Sequence, residues 1–361
     1  MGKLEQSLAS TFGFETAVMF GKARSGVVAL LEALGPAGRQ IIMPATICPS
    51  LIAAARAAGA DVKLCDIDPA HGLADDTEMA ALVRALDTPG IVMPTYLYGY
   101  VCDYSLTIKA AQDLGWFVLH NDTHGALGHG QAFLEQSPSS GLLVSFGAGK
   151  VIDAQGGGAV LLNDRALAQE LLARSRQYPA VTQKTEAFED YLTLLRRILR
   201  QGPAGGERSL AGRYEHFLDL DTTLTKFSFS DDQRPSIQTA LNAHPHECAR
   251  RQESCVKWRT HLAPYEGKLQ FPKLSQPSPW RMIIRIPKFR DHIVAALRDL
   301  GIDAGTNYPS VSIFYPTMFA NKHFPGAQIW SEDVLNLWLN SNYDDNLMAQ
   351  TAAVIGSSMQ Q

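Results

Sequence analysis

At 361 residues, 46% of them hydrophobic, the chain is long enough to bury a large core, and a large domain with a smaller companion is expected. A formal charge of −4 argues against the basic footprint of a nucleic-acid binder. Five cysteines, odd in number and without a C-x-x-C pair, offer neither a disulfide framework nor a metal spacing, so a reducing, cytoplasmic setting without a metal is expected.

The N-terminus lacks the basic start and apolar core of a signal peptide, and no uninterrupted apolar run approaches the roughly 20 residues of a membrane span. Lys3 to Phe20 reads as a short helix and lead-in. Ser25 to Leu34 follows as an apolar helix with Ser25 as its N-cap and Gly26 beside it. Free backbone N–H groups at such a helix start make an anion site. Strands at Gln40–Met43, Asp61–Cys65, Gly90–Pro94 and Trp116–His120 then alternate with helices at Pro49–Ala58, Met79–Leu86 and Leu106–Leu114. That alternation predicts βαβ crossovers and a mostly parallel sheet, an α/β fold.

The strand Trp116–His120 delivers Asn121-Asp122-Thr123-His124-Gly125 at its carboxyl end, where ligands bind in open α/β sheets. Two further buried strands, Leu142–Phe146 and Ala159–Leu162, flank a small-residue turn that carries Lys150. An ammonium there either points at solvent or belongs to a site that uses it. A lysine, a carboxylate and an anion-binding helix start are the three things pyridoxal 5'-phosphate needs: a Schiff-base amine, a partner for the ring nitrogen and a hold on the phosphate.

Beyond the lysine, Asp164–Arg176 and Glu186–Arg200 read as amphipathic helices, and Gln201 to Arg208 as a glycine-rich surface loop. Ser236–His261 is a long helical stretch that Pro245 is expected to break or kink, with Arg250 and Arg251 on a solvated face. It would carry the chain from a large domain, residues 1–245, to a small α+β domain, residues 246–361. The latter shows a strand at Met282–Ile286, a helix at Arg290–Leu300 stopped by Gly301, and a last helix at Asp344–Ile355.

In order along the chain, these pieces resemble the DegT/DnrJ/EryC1/StrS family, the sugar aminotransferase branch of fold-type I pyridoxal-phosphate enzymes. Ser25-Gly26-Val27-Val28-Ala29-Leu30 is similar to the family's S-G-T-x-A-L, and Ile42 to Ala45 followed by Gly59 to Asp68 to its V-x-P-x-x-T and G-A-x-P-V-F-x-D-x-D segments. Leu97-Tyr98-Gly99 with Asp103 resembles L-Y-G-x-x-x-D, and Asn121 to Gly128 resembles E-D-x-A-x-x-x-G. Ser145 to Lys150 with Gly157-Gly158 resembles S-F-x-x-x-K and its glycines, and Gly301-Ile302 with Tyr308-Pro309 resembles G-I-x-x-x-x-x-Y-P.

The resemblance implies Lys150 as the Schiff-base lysine and proton shuttle and Asp122 as the pyridinium partner. It implies Ser145, Ser25, Gly26 and Val27 around the phosphate, and a homodimer with its sites at the interface. Cys48 stands near the position of the family's stacking aromatic ring, and His124 replaces its small residue two after the aspartate. A histidine there would stack on the ring, act as an acid or base, or fill space. Gly125 stands where a glutamine is common, and the asparagine expected around Ser230 to Arg234 has no counterpart. Fold-type I aminotransferases often hold a substrate carboxylate with a small-domain arginine; Arg281 and Arg285 are candidates, with a structural ion pair as the alternative for each. Tyr308 joins Arg281 as a candidate substrate contact. Asp153 is a second acid near the lysine or a turn residue, and Arg24 adds charge to the phosphate site or faces solvent.

The activity implied is transfer of an amino group from a glutamate- or glutamine-like donor to a keto substrate, such as a nucleotide-linked keto-sugar. The alternatives are another pyridoxal-phosphate chemistry (elimination, replacement, aldol-type cleavage or cyclisation) and a non-catalytic relative, against which the intact lysine and aspartate argue.

Overall fold

The computed structural model describes residues 2–125, 139–180 and 225–360. The helix expected at 186–200, the loop expected at 201–208 and the family-like stretch 126–128 lie outside the described residues.

Helix α1 (Lys3–Phe12) ends on Gly13 and leads into β1 (Thr16–Phe20), α2 (Ala23–Ala33), β2 (Gln40–Pro44), α3 (Pro49–Ala57) and β3 (Asp61–Cys65). Then come α4 (Asp76–Ala85), β4 (Ile91–Val92), α5 (Ser105–Asp113), β5 (Phe117–Asn121), β6 (Ser140–Ser145), β7 (Gly158–Leu162) and α6 (Arg165–Gln177). These strands form one seven-stranded sheet in the order β1-β7-β6-β5-β4-β2-β3. β7 runs antiparallel to both of its neighbours, and the remaining pairings are parallel. The expected mostly parallel sheet is therefore present. It has one more strand than the lead-in segment suggested, because Thr16 to Phe20 joins its edge as β1 rather than forming an irregular approach.

Side chains alternate across a strand, so a sheet buried on both faces sends neighbouring residues into different cores. On β2, Ile41 and Met43 pack with Val28, Leu31 and Ile52 of α2 and α3, whereas Ile42 packs with Leu8 of α1 and Val83 of α4. Each such fully buried aliphatic side chain contributes about 1.5–3 kcal/mol relative to exposure.

The chain then runs as one long helix, α7 (Arg234–Leu262), with Pro245 inside it, so of the break or kink expected there the break does not occur. Ile237 and Leu241 at its start belong to the core below the large sheet, and Trp258 and Leu262 at its end to a separate core. That second core is built on β8 (Met282–Arg285), α8 (Arg290–Asp299), β9 (Val334–Leu337) and α10 (Asp345–Ser358). α9 (Pro325–Asp333) runs directly into β9. β8 and β9 pair antiparallel, Met282 opposite Leu337. Neither α9 nor β9 was expected, although the mostly apolar segment Val334 to Leu339, interrupted only by Asn336, carries a strand signal. An aromatic seam that includes Tyr98, Tyr100, Trp280, Tyr308 and Trp330 joins the two parts, and the site lies along it.

Candidate active site

The parallel strands end at one edge of the sheet. β5 delivers Asp122, completely buried, whose backbone N–H donates to the Leu143 carbonyl at 3.0 Å. β6 ends at Ser145, and the connection to β7 carries Lys150. Asp153 shapes that connection: its carboxylate accepts from the Gly149 and Gln155 N–H groups at 2.7 and 3.0 Å, which makes it a turn residue.

Lys150 is half-buried, and among the described residues it forms no ion pair. Its Nζ lies 5.4 Å from the centroid of the Trp280 ring. Desolvation brings its pKa down from the ordinary 10.5 to about 8; Arg281 pushes the same way, and Asp122 pulls against both. The backbone beside it is tied down from the far side of the site. Trp280 Nε1 donates to the Gly149 carbonyl at 2.8 Å, and Arg251 donates to the Lys150 carbonyl at 3.4 Å. Arg251 is thus buried within the structure rather than on the solvated face expected of it, with Glu247 and the Trp280 carbonyl as further partners.

Segment 278–280 approaches closely because Gly99 has no side chain. Gly99 sits at φ +82°, and a Cβ there would fall 1.9 Å from the Ser278 carbonyl oxygen.

His124 fills the position where the family places a small residue. Its ring is stacked on Trp280 at 4.1 Å and on Tyr308 at 5.3 Å, within 19° and 18° of parallel. Its Nδ1 accepts from the Tyr98 N–H at 3.1 Å, and its Nε2 lies 3.3 Å from the Tyr308 hydroxyl. Burial, then the charges of Lys150 and Arg281, hold its pKa well below the ordinary range, so the imidazole is neutral. Burial likewise raises the Tyr308 hydroxyl, which contacts Cys48. Cys48 caps the start of α3, its Sγ 3.1 Å from Ser50 Oγ.

The two candidate arginines separate cleanly. Arg285 pairs with Asp333 at 2.6 Å. Arg281 is buried between two indoles, its guanidinium carbon 4.1 Å from the Trp280 ring and 3.6 Å from that of Trp338. No carboxylate pairs with Arg281 among the described residues; its Nη1 donates to Asn336 at 3.4 Å, while its Nε and Trp338 Nε1 have no hydrogen-bond partner. Desolvation lowers it to about 10. Each of these two N–H groups is thus a buried donor left without an acceptor among the described residues.

At the remaining corner the helix start differs from expectation. α2 begins at Ala23 with Lys22 in the cap position, so Ser25 is no N-cap; its Oγ accepts from the Phe227 N–H at 3.0 Å instead. Gly26 and Val27 are buried in the helix, and a Cβ at Gly26 would lie 2.6 Å from Val160 Cγ2, so this glycine seats the helix on β7. Arg24 lies in the first turn, and Ser145 Oγ accepts from the Gly147 N–H at 3.4 Å.

These residues fit pyridoxal phosphate. A desolvated amine without an ion pair, a wholly buried carboxylate within its electrostatic reach and a helix start after β1 all lie at one sheet edge. Of the residues singled out in the sequence, the fold brings Lys150, Asp122, His124, Arg281, Tyr308 and Cys48 together. It gave no site role to Tyr98, Trp280, Trp338 or Arg251, although Tyr98 lay inside the L-Y-G segment, Trp280 beside Arg281, and Arg251 in the basic stretch read as solvated.

A sequence profile of the DegT/DnrJ/EryC1/StrS aminotransferase family matches residues 1–355. Among solved structures, S. venezuelae DesV, in complex with a ketimine intermediate, is similar at a TM-score of 0.74 and 19% identity over 99% of this chain and 88% of that one. DesI, in the presence of its TDP-sugar product, gives 0.75 and 21% over 98% and 83%. 3-Amino-5-hydroxybenzoic acid synthase gives 0.70 and 19% over 99% and 90%. At these identities the likeness establishes the fold, that of fold-type I pyridoxal-phosphate enzymes.

Proposed function

The chain belongs to the DegT/DnrJ/EryC1/StrS aminotransferase family of pyridoxal-phosphate enzymes, and from that premise we propose that it moves an amino group from a glutamate- or glutamine-like donor to a keto acceptor through Lys150. The observation that carries this reading is the placement of the Lys150 amine, 5.4 Å from the Trp280 ring and without an ion pair among the described residues, at the sheet edge that also carries the wholly buried Asp122. Bound pyridoxal phosphate supplies a carbonyl for amines to condense with and a protonated ring that withdraws electrons from the substrate carbon.

The rest of the chemistry falls to this chain's side chains. Lys150 would hold the cofactor through its amine and, when released, would move a proton to and from the substrate carbon. Asp122 keeps a proton on the ring nitrogen, a task its burial favours because a charge pair in low dielectric holds tightly. Ser145, Ser25, Gly26, Val27 and the first turn of α2 are the proposed phosphate side, with Cys48 and His124 flanking the ring. Arg281 offers a planar guanidinium to a donor carboxylate, with Tyr308 beside it.

DesI was solved with a TDP-sugar product, which supports a nucleotide-linked keto-sugar as the first acceptor to try. On the same footing we propose a division near residue 245 within α7, and a homodimer with composite sites, which sedimentation of the purified protein tests.

The deciding experiment incubates the purified protein and its Lys150→Ala variant with pyridoxal phosphate, records the visible spectrum, and adds L-glutamate or L-glutamine. A lysine-dependent yellow chromophore that bleaches as the donor's keto acid appears supports transamination. A chromophore indifferent to every amino donor overturns it in favour of elimination, replacement, aldol-type cleavage or cyclisation.

A further inference from the structure

Tyr98 follows β4 in a left-handed backbone conformation, φ +63° and ψ 3°, and is completely buried. A bulky residue seldom adopts that conformation, and surrounding contacts must hold it there. Its polar atoms are engaged with the aromatic site. The N–H donates to His124 Nδ1 at 3.1 Å. The carbonyl accepts from the Trp280 N–H at 3.0 Å and from Gln276 Nε2 at 2.8 Å. The hydroxyl oxygen accepts from the Tyr308 N–H at 2.8 Å and from Trp330 Nε1 at 3.2 Å.

These contacts fix a direction. A backbone N–H can only donate, so His124 Nδ1 presents its lone pair and a neutral ring carries its proton on Nε2. Nε2 in turn can only donate, and the group 3.3 Å away is the Tyr308 hydroxyl, which therefore accepts. The one proton of that hydroxyl then points away from His124. Cys48, which Tyr308 contacts, is a weak acceptor. An oxygen of a bound substrate is a stronger acceptor than this thiol, so the proton is available to one.

We propose that Tyr98 is a positioning residue: its N–H sets the tautomer of His124, its hydroxyl holds the Tyr308 backbone, and together they make the Tyr308 hydroxyl a donor to an oxygen of the keto acceptor. The acceptor selected carries a carbonyl, hydroxyl or carboxylate oxygen at that point, not a hydrogen-bond donor alone. The last step of this proposal rests on the transamination reading; the polarity of the chain does not.

Two measurements test it. Long-range proton–nitrogen NMR of the histidine-labelled protein without substrate, with His124 assigned by loss of its signals in His124→Gln, should show Nδ1 unprotonated, Nε2 protonated and no titration through the neutral range. A protonated Nδ1 or an ordinary titration overturns the polarity. In steady-state assays, Tyr308→Phe and Tyr98→Phe should each raise the acceptor KM about tenfold, the loss of roughly one hydrogen bond, with the donor KM unchanged. The His124 tautomer should persist in Tyr98→Phe, which keeps the N–H. An unchanged acceptor KM, or a donor KM raised equally, overturns the positioning role. If the wild type transaminates nothing, the function reading and the substrate step fall, while the NMR still decides the polarity.

Discussion

The imidazole of His124 and the indole of Trp280 lie face to face, 4.1 Å apart. The contact joins the end of β5 to the segment leading into β8, and so ties the large sheet to the small one at the site. His124→Ala would restore the small residue typical of the family, but here it empties a buried space and leaves the Tyr98 N–H without its acceptor. The expected cost is about 2–4 kcal/mol, read as a lower urea midpoint at unchanged slope. A variant as stable as the wild type would mean that the stack holds nothing together.

Lys150 makes the cofactor-free protein pH-dependent in a definite direction. Its folded pKa of about 8 lies below the ordinary 10.5. Below about 8 the ammonium is charged in both states, and the folded chain bears the whole cost of desolvating it. Between the two values the unfolded chain binds more protons, so stability rises with pH until the cost is gone. Lys150→Met is therefore expected to be more stable than the wild type near neutrality, with the advantage shrinking as pH climbs past about 8. Denaturant midpoints of the two cofactor-free proteins across that range check this; an advantage that grows with pH would contradict it.

What the sequence revealed of the site follows from where each residue's signal resides. Asp122 and Lys150 are marked locally, by a buried strand on one side and small residues on the other, and the fold carries each to its strand end. Arg281 could be singled out as a small-domain arginine, yet only packing distinguishes it from Arg285, which pairs with Asp333. Trp280, Trp338 and Arg251 become site residues through contacts more than a hundred residues away or through an indole sandwich, and periodicity is blind to both. Arg251 looked solvated because the helix carrying it has polar residues on every side. Pro245 removes one backbone hydrogen bond and crowds the preceding turn, yet the helix continues through it, with its two ends packed into separate cores.

Helix α2 is seated by a contact between backbones. A Cβ on Gly158 would lie 2.4 Å from the Ala23 Cα, with no flexible side chain to give way. Gly158→Ala is expected to push the first turn of α2 off the sheet edge, costing about 1–3 kcal/mol as overpacking does. It should also weaken affinity for pyridoxal phosphate more than for pyridoxal, since only the former uses the helix start. Equal loss for the two compounds in fluorescence titrations would separate the helix from phosphate binding.

Glu247 reaches the lysine through Arg251. Its carboxylate accepts from Arg251 Nε at 2.6 Å and from Arg250 at 2.7 Å, and Arg251 donates on to the Trp280 carbonyl at 2.7 Å. Burial by itself would raise this carboxyl, but the two guanidiniums outweigh it and leave the pKa lowered. A lowered carboxylate contributes stability above its unfolded pKa and loses it as pH falls through the folded value. Glu247→Gln removes that contribution and leaves Arg251 buried with its charge uncompensated, for an expected loss of about 3 kcal/mol at neutral pH. The loss should diminish in acid, where the wild-type carboxyl is itself protonated. Unfolding curves at neutral and acidic pH provide the check: a deficit that is the same at both would place the effect in packing rather than in charge.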